Sequence, residues 1–160
     1  MSSPFIAPKP SSWRMKIALE CSKGGHLQEM MSLKDAWEDH DHFLITYDSE
    51  RTRSLDHRRY LITHPIESVP RFLTSLFIAL GRVFGERPDV LISTGMGWTD
   101  IFMFPFCRLM GTYTIYIESA ANVDDITGTA RFIRRFSDRF LVQWEELADR
   151  IGAEYHGGVL

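Results

Sequence analysis

The sequence predicts an α/β fold in which helices cover both faces of a parallel, Rossmann-like sheet. Short apolar runs alternate with longer segments whose apolar residues recur at helical spacing. The strand-like runs are almost continuously apolar, which is typical of strands buried on both faces, and the order strand, glycine turn, helix occurs twice. Because 160 residues suffice for one hydrophobic core, we expect a flexible leader over 1–13 and a single domain over 14–160.

Each element follows from a local pattern. The helix over 70–84 begins after Ser68 with Pro70 in its first turn, and its apolar residues recur at helical spacing, as in a helix packed on a core. The segment over 47–59 is rich in charged residues and is predicted to be a loop. The predicted strands are 15–21, 42–46, 60–62, 90–93, 113–117 and 140–143, and the predicted helices are 26–37, 70–84, 98–109, 126–136 and 144–151.

The composition excludes several classes of protein. A net charge of −3 argues against a general nucleic-acid binder. Cys21 and Cys107 lack CxxC spacing, so we expect reduced thiols and a cytosolic compartment. No apolar run approaches the roughly 18 residues needed to span a bilayer, so any membrane contact is expected to be peripheral. We find no metal-ligand cluster and expect no metal and no resident cofactor.

The loop after the first strand holds the strongest single signal. It reads Ser22, Lys23, Gly24, Gly25 and His26, and it leads into a helix. Free backbone N–H groups and the helix dipole favour an anion such as a phosphate there, and two of the side chains can add positive charge. The adjacent glycines do not form the GxGxxG fingerprint of dinucleotide sites. The alternative is a tight turn with no ligand.

Two further loops follow strands of the predicted sheet, and ligands bind at this edge of open parallel sheets. One contains Gly95 and Gly97, which offer N–H donors to a second phosphate or a sugar, unless Thr99 merely caps the next helix. The other places Glu118 at the end of an apolar strand, where burial would raise the pKa of its carboxyl and suit it to act as a base. Alternatively, this carboxyl only accepts structural hydrogen bonds.

The helix over 70–84 has more apolar surface than one core-facing stripe requires. Its other side carries two arginines, and we predict Arg71, Phe72, Ile78 and Arg82 as residues that dock on an anionic membrane surface. The alternative is a core helix with a solvated basic face.

Four ordered segments, 22–27, 88–95, 116–119 and 138–145, carry a resemblance to a known family. The sequence resembles, from about residue 15 to its end, the membrane-anchoring subunit of the dolichol-pathway N-acetylglucosaminyltransferase and its bacterial exopolysaccharide counterparts. The resemblance implies the acceptor-binding, N-terminal half of a GT-B glycosyltransferase. It also implies that a separate chain supplies the half that binds the UDP-sugar donor, and that this chain is inactive without that partner.

The resemblance further implies transfer of a hexosyl, glucuronosyl or N-acetylglucosaminyl group to a polyprenyl-diphosphate-linked saccharide. The setting would be exopolysaccharide or capsule synthesis, with peripheral attachment to the cytoplasmic face of the inner membrane. The eukaryotic membrane-spanning helix is missing from this sequence, which suits a bacterial member. Lys23 stands where related turns hold a small residue, and Asn122, a candidate acceptor-binding residue, stands where many members have Arg, so the acceptor stays open.

Site roles follow from this implication. The resemblance places Gly24, Gly25 and His26 near the acceptor diphosphate, and the catalytic base is expected to be His26 or Glu118. The remaining predicted contacts are Ser22, Lys23, Gly95, Gly97 and Asn122 for the acceptor or its phosphates, and Trp144, Glu145, Val159 and Leu160 for the partner chain. Two other functions remain open, a non-catalytic scaffold that recruits a catalytic partner to the membrane and a free-standing α/β protein that binds a small molecule.

Overall fold

The protein is built on a sheet of seven parallel strands, in the order β3-β2-β1-β4-β5-β6-β7. A computed structural model describes residues 14–159, so the predicted leader and Leu160 lie outside the described residues. The strands are β1 (Lys16–Cys21), β2 (Asp41–Tyr47), β3 (Arg59–Ile62), β4 (Val90–Gly95), β5 (Tyr113–Ile117), β6 (Arg139–Val142) and β7 (Glu154–Tyr155). The predicted α/β class with a parallel sheet is confirmed.

Helices cover both faces of the sheet. The helices are α1 (Gly25–Ser32), α2 (Lys34–Trp37), α3 (Glu50–Arg53), α4 (Val69–Glu86), α5 (Trp98–Leu109), α6 (Gly128–Ile133) and α7 (Glu145–Ile151). One core cluster joins the sheet to α1 and α2 around the buried Trp37. A larger cluster joins the other face to α4, α5, α6 and α7. Two-sided burial explains why the strands are almost continuously apolar.

The strand order reverses between β1 and β4. From β1 the chain proceeds outward to β2 and β3, then returns through α4 to β4 and continues to β7 on the other side. Cys21, the last residue of β1, lies opposite Gly95, the last residue of β4. The loops that follow the two strands are joined by a hydrogen bond of 2.9 Å from the Ser22 N–H to the Gly95 carbonyl. Such a reversal opens a crevice at the carboxyl edge of the sheet.

Several local predictions differ from the structure. The helix predicted over 26–37 is divided at Leu33 into α1 and α2. The predicted loop over 47–59 contains α3, which a capping box of Ser49 and Thr52 stabilises by satisfying two backbone N–H groups. The helix predicted over 126–136 ends as α6 at Ile133 and continues as a 3₁₀ turn. The two-residue strand β7 was not predicted.

The faces of α4 were assigned wrongly from the sequence. Phe72, predicted to touch a membrane, is only 5% exposed and packs in the core, together with other residues of one stripe. Phe77, one of the apolar residues that recur at helical spacing in this segment, is 69% exposed, and Ile78 is 59% exposed as predicted. The buried residues of α4 are Phe72, Leu76, Ala79 and Val83, and its exposed large apolar residues are Val69, Leu73, Phe77, Ile78 and Phe84.

The helix α4 begins as the sequence indicates. Ser68 is its N-cap and accepts a hydrogen bond from the Arg71 N–H, and Pro70 occupies the first turn. Arg71 and Arg82 are both exposed along this helix. Within 14–159, no helix combines the length and the apolar character needed to cross a membrane.

Candidate functional site

A cleft of about 310 Å³ opens at the carboxyl edge of the sheet, where the strand order reverses. The loops after β1, β4 and β5 all contribute to it. Among the residues predicted for the site, Ser22, His26, Gly95, Gly97, Glu118 and Asn122 line it. Sequence reasoning missed Tyr47, His64, Met96, Trp98, Tyr116, Thr127 and Thr129, which line it as well.

The glycines of these loops have distinct structural roles. Gly24 is the N-cap residue of α1 with a φ of 89°, and Gly97 is the N-cap residue of α5 with a φ of 65°, conformations that favour glycine. At Gly95 a Cβ atom would lie 3.1 Å from the imidazole of His26, so this glycine also lets the ring approach the strand end. Lys23, Gly24 and Gly25 are exposed and lie outside the cleft lining.

His26 is held at the floor of the cleft by two contacts. Its carbonyl accepts a hydrogen bond of 2.7 Å from the Thr94 hydroxyl, which fixes the first residue of the loop that enters α1. Its Nδ1 atom lies 3.4 Å from Oε2 of Glu29, one turn along the same helix. The contact with the Glu29 carboxylate raises the pKa of His26, although burial partly opposes the shift. An imidazole paired with a carboxylate in this way is a stronger base than a free one.

Glu29 is a site residue that the sequence analysis did not single out. It is buried, and its Oε1 atom accepts hydrogen bonds from the Ser119 hydroxyl at 3.0 Å and the Ala120 N–H at 2.9 Å. The Gln143 amide donates a third, at 3.2 Å. Burial raises the pKa of Glu29, but the hydrogen bonds outweigh it and hold the pKa below its usual value. Its spacing of three residues from His26 was the one available signal.

Glu118 occupies the position that the sequence predicts, at the end of β5. Its Oε1 atom accepts hydrogen bonds from the Asn122 amide at 2.7 Å and from the Ser119 N–H at 3.1 Å. Its Oε2 atom is buried and has no hydrogen-bond partner among the described residues. Burial raises the pKa of this carboxyl, and the bond from Asn122 only partly opposes it. The group therefore combines a raised pKa with one oxygen free to act on a ligand.

A buried acid organises the loop between β4 and α5. Asp100 of α5 accepts hydrogen bonds from the Ser93 hydroxyl at 2.7 Å and from the Met96 N–H. Burial raises its pKa to about 6, against the opposing effect of these bonds. The Tyr47 hydroxyl donates to the Met96 carbonyl at 2.7 Å, so the loop is fixed from two sides. Thr99 is buried and bonds Tyr47, and Gly97 caps α5, so the alternative of a Thr99 cap is wrong.

A second acid, Glu20 of β1, is fully buried beside Asp100. Neither of its carboxylate oxygens has a hydrogen-bond partner among the described residues. Burial, and next the charge of Asp100, raise the pKa of Glu20 well above its usual value. The protonated form of this carboxyl is therefore favoured, since a second buried charge next to Asp100 would be costly.

The polar groups of the cleft suit proton abstraction better than phosphate neutralisation. Its lining includes Glu118 and His26, with Glu29 directly behind the imidazole, and within residues 14–159 no Lys or Arg contributes to it. Across the described part of the chain, no group of three or more His, Cys, Asp or Glu side chains is arranged to hold a metal ion. The polar groups of the cleft can accept a proton from a hydroxyl and form hydrogen bonds with a polar ligand.

Three of the residues predicted for a partner interface, Trp144, Glu145 and Val159, lie within the described part of the chain. Trp144 is 43% exposed, and its indole N–H donates to the Ala120 carbonyl at 2.8 Å, next to the carboxylate of Glu29. Glu145 is exposed at the start of α7. The Val159 N–H donates to the side-chain oxygen of Gln143 at 2.9 Å.

Two solved structures share this fold. The match to MurG of Acinetobacter baumannii has a TM-score of 0.64 at 13% identity, and the match to the UDP-GlcNAc 2-epimerase of Methanocaldococcus jannaschii has a TM-score of 0.65 at 14% identity. Each match covers 89% of this chain but 45% of the other, so the chain spans about half the length of these proteins. At such low identity the likeness shows the fold alone.

Relatives with higher identity come from yeasts, and all are named "UDP-N-acetylglucosamine transferase subunit ALG14". The chain is 30% identical to the Schizosaccharomyces pombe protein, over 93% of this chain and 85% of the relative. It is 26% identical to the Yarrowia lipolytica protein, over 93% of this chain and 83% of the relative. A match to the Candida albicans protein at 32% identity covers 58% of this chain and 45% of the relative.

A family model described as "Oligosaccharide biosynthesis protein Alg14 like" matches residues 48–160. The resemblance carried by the four ordered segments of the sequence is thereby confirmed at the level of the family. Since the matched region is most of the chain and the fission-yeast relative aligns nearly end to end, the chain belongs to the Alg14 family.

Proposed function

We propose that the chain is the acceptor-binding and membrane-docking subunit of a two-chain glycosyltransferase. It holds a polyprenyl-diphosphate-linked saccharide while a separate donor-binding chain presents a UDP-sugar. The observation that carries this proposal is the cleft where the strand order reverses, which brings His26, backed by Glu29, together with the free oxygen of Glu118. These groups suit deprotonation of an acceptor hydroxyl.

The names of the relatives support both the donor and the division of labour. They describe a subunit of a UDP-N-acetylglucosamine transferase, so N-acetylglucosamine is the transferred sugar we propose, ahead of a hexosyl or glucuronosyl group. A chain that spans about half of a MurG-type fold needs a second half to complete a GT-B enzyme. We expect the exposed Trp144 and Glu145 and the segment through Val159 and Leu160 to contact that partner.

In the proposed reaction, His26 is the general base. The neutral imidazole takes the proton of the acceptor hydroxyl, the hydroxyl oxygen forms the new bond to the anomeric carbon, and UDP leaves toward the partner chain. Glu29 then stabilises the imidazolium. The sugar configuration is inverted by this single displacement. Glu118, whose pKa is raised by burial, is the alternative base.

The acceptor diphosphate is assigned to the exposed turn of Lys23, Gly24 and Gly25, outside the acidic cleft. Backbone N–H groups at the start of α1 and the ammonium group of Lys23 suit this anion. Ser22, Gly95, Gly97 and Asn122 then contact the acceptor sugar from the cleft wall.

The exposed face of α4 supports peripheral membrane attachment. Phe77 and Ile78 lie near Arg71 and Arg82 along this helix, a combination that suits the headgroup region of an anionic bilayer. We propose the cytoplasmic face of the inner membrane as the site of attachment, and bacterial exopolysaccharide or capsule synthesis as the setting. The relatives are named for a eukaryotic transferase, so the acceptor lipid has to be determined by experiment.

A transfer assay tests the proposal. The chain, the donor-binding chain of the same organism and an equimolar mixture are incubated with short-chain polyprenyl-diphosphate-linked GlcNAc and, in turn, UDP-GlcNAc, UDP-glucose or UDP-glucuronic acid. We expect transfer only from the mixture, and fastest with UDP-GlcNAc.

Two outcomes would overturn the proposal. Full transfer by the partner alone, once it is tethered to vesicles, would identify this chain as a scaffold. Tight binding of UDP-GlcNAc by this chain alone, measured by calorimetry, would indicate a free-standing nucleotide-binding protein.

A further inference from the structure

We propose that Glu29 is a positioning residue of the cleft, which orients the His26 imidazole with one carboxylate oxygen and fixes the loop after β5 with the other. This inference deepens the proposed function and rests on it. No motif of the sequence points to Glu29. The assignment comes from the way in which one buried side chain joins three separate segments of the chain.

The first step of the argument is the Oε1 atom. It accepts hydrogen bonds from the Ser119 hydroxyl, the Ala120 N–H and the Gln143 amide, at 3.0, 2.9 and 3.2 Å. These donors belong to the loop after β5 and to the end of β6. Three donors on one oxygen fix the carboxylate in a single orientation and keep it ionised in spite of its burial.

The second step is the Oε2 atom. It lies at an ion-pair distance of 3.4 Å from Nδ1 of His26, and neither atom has a hydrogen-bond partner of good geometry among the described residues. The Nδ1 atom is buried, whereas the imidazole side chain is 37% exposed and lines the cleft. The edge of the ring that carries Nε2 therefore faces the cleft. A carboxylate at Nδ1 selects the tautomer in which Nε2 is free to accept a proton.

A purely structural clamp would not need a carboxylate here. Glu118 lies on the same loop, and Gln143 donates both to Glu29 and to the Glu118 carbonyl, at 3.2 and 3.1 Å. Besides burial, the charge of Glu29 contributes to the raised pKa of the nearby Glu118 carboxyl, so the two groups repel each other when both are ionised. An amide at position 29 would avoid that repulsion and could still accept all three bonds at its oxygen. The negative charge gains a function only through the imidazole of His26.

Several charged or titratable groups surround His26 besides Glu29. Asp100 of α5 contributes to its raised pKa, and Glu118, directly after β5, interacts with its charge. Tyr116 of β5 lies near Gly95, against which the ring packs, and Tyr47 and His64 line the same cleft. Of these groups, Glu29 makes the direct contact, so its charge should dominate the titration of the imidazole.

The experiment compares Glu29→Gln with Glu38→Gln, which removes the same charge from the exposed surface of the neighbouring turn. The titration of His26 is followed by NMR in the full chain, and transfer is measured with the partner chain present. We expect Glu29→Gln to move the His26 titration to lower pH and to lower kcat about ten- to hundredfold. The acidic limb of the pH profile should shift in the same direction, and Glu38→Gln should change none of these quantities.

The same His26 titration in Glu29→Gln, Glu38→Gln and the unaltered chain would overturn the inference, even if transfer fell. If Glu29→Gln does not fold, Glu29→Asp keeps the charge and shortens its reach, and the same downward shift is expected for it. The NMR titration needs neither partner nor substrate. Absence of transfer by the unaltered pair would therefore refute the proposed function, while the role of Glu29 is judged by the titration alone.

Discussion

The cleft and the outer face of α4 depart from ordinary burial in opposite directions. Behind the lining of the cleft, the ionisable side chains Glu20, Glu29 and Asp100 are buried. On α4, large apolar side chains such as Phe77 and Ile78 are exposed. Globular proteins seldom bury carboxyl groups without a partner, and a contiguous apolar surface usually marks a contact with another molecule.

The two departures have different physical consequences. Most polar atoms around the cleft form hydrogen bonds with one another. The Oε2 atom of Glu118 has no hydrogen-bond partner among the described residues, so it is available to a ligand group. The exposed apolar side chains of α4 are not covered by any other segment in the part of the chain that the structure describes. The polar groups around the cleft are therefore held in fixed positions, as expected of a catalytic site. The face of α4 offers exposed apolar area without such fixed groups, as expected of a surface contact.

Replacement of His26 by alanine should have the largest effect on the cleft. If His26 is the base, His26→Ala lowers kcat for transfer by roughly 10²- to 10⁴-fold in the reconstituted pair, because proton abstraction by a placed group is lost. Binding of the partner chain should be unchanged, as measured by size-exclusion chromatography. His40→Ala, a histidine replacement at the opposite edge of the sheet, is the control.

Retained turnover in His26→Ala would assign the base to Glu118 and remove the imidazole from the mechanism. The pH profile separates the two candidates further. A base must be deprotonated, so transfer should rise with pH through the raised pKa of whichever group acts. In His26→Ala, any remaining dependence on an acidic group would belong to Glu118.

On α4 the largest expected effect comes from its two exposed arginines. Arg71→Gln combined with Arg82→Gln should weaken binding to vesicles that contain phosphatidylserine about thirtyfold, since each cation near the headgroups contributes about 1 kcal/mol. Sedimentation at low and high salt measures this effect. Lys34→Gln combined with Arg135→Gln removes the same charge from other surfaces and should bind like the unaltered chain.

Equal binding by both double variants would show that α4 does not face lipid. The exposed apolar residues of α4 would then be covered by another protein. The cleft would still be a ligand site, whereas the outer face of α4 would be a subunit interface. We expect the α4 double variant to keep full transfer to a detergent-solubilised acceptor, because the chemistry of the cleft does not depend on the membrane. This result would separate the role of α4 from that of the cleft.

Much of the fold could be predicted because burial on both faces forces apolar strands. The strand β1 (Lys16–Cys21) and the convergence of the glycine loops follow from that rule and from the geometry of parallel strands. The strand β7 has two residues, which is too short for a pattern. The division of the predicted helix into α1 and α2 at Leu33 cannot be seen in the sequence, because apolar residues continue at helical spacing across it.

It was harder to predict which side of a helix faces the core, and which residues distant in sequence contact each other. Apolar residues surround α4 on nearly all sides, so periodicity alone did not show that Phe72 packs inward and Phe77 outward. Glu29 reads as an exposed helix residue, and its burial depends on Ser119, 90 positions away, and on Gln143, 114 positions away. A pattern within one helix does not contain that information.

The last prediction concerns Glu20, a buried carboxyl behind the cleft whose oxygens have no hydrogen-bond partner within residues 14–159. Its pKa is raised in the folded chain by burial and by Asp100, so its stabilising contribution is complete below its ordinary pKa and is lost as pH rises. Glu20→Gln keeps the shape but needs no proton. It should therefore be more stable than the unaltered chain at pH 7 to 8, with the advantage vanishing near pH 4. Urea unfolding at a series of pH values measures the difference. A constant difference between the two proteins from pH 4 to 8 would mean that Glu20 does not bind its proton more tightly in the folded state, and the cleft would then bury a charge that no group in it offsets.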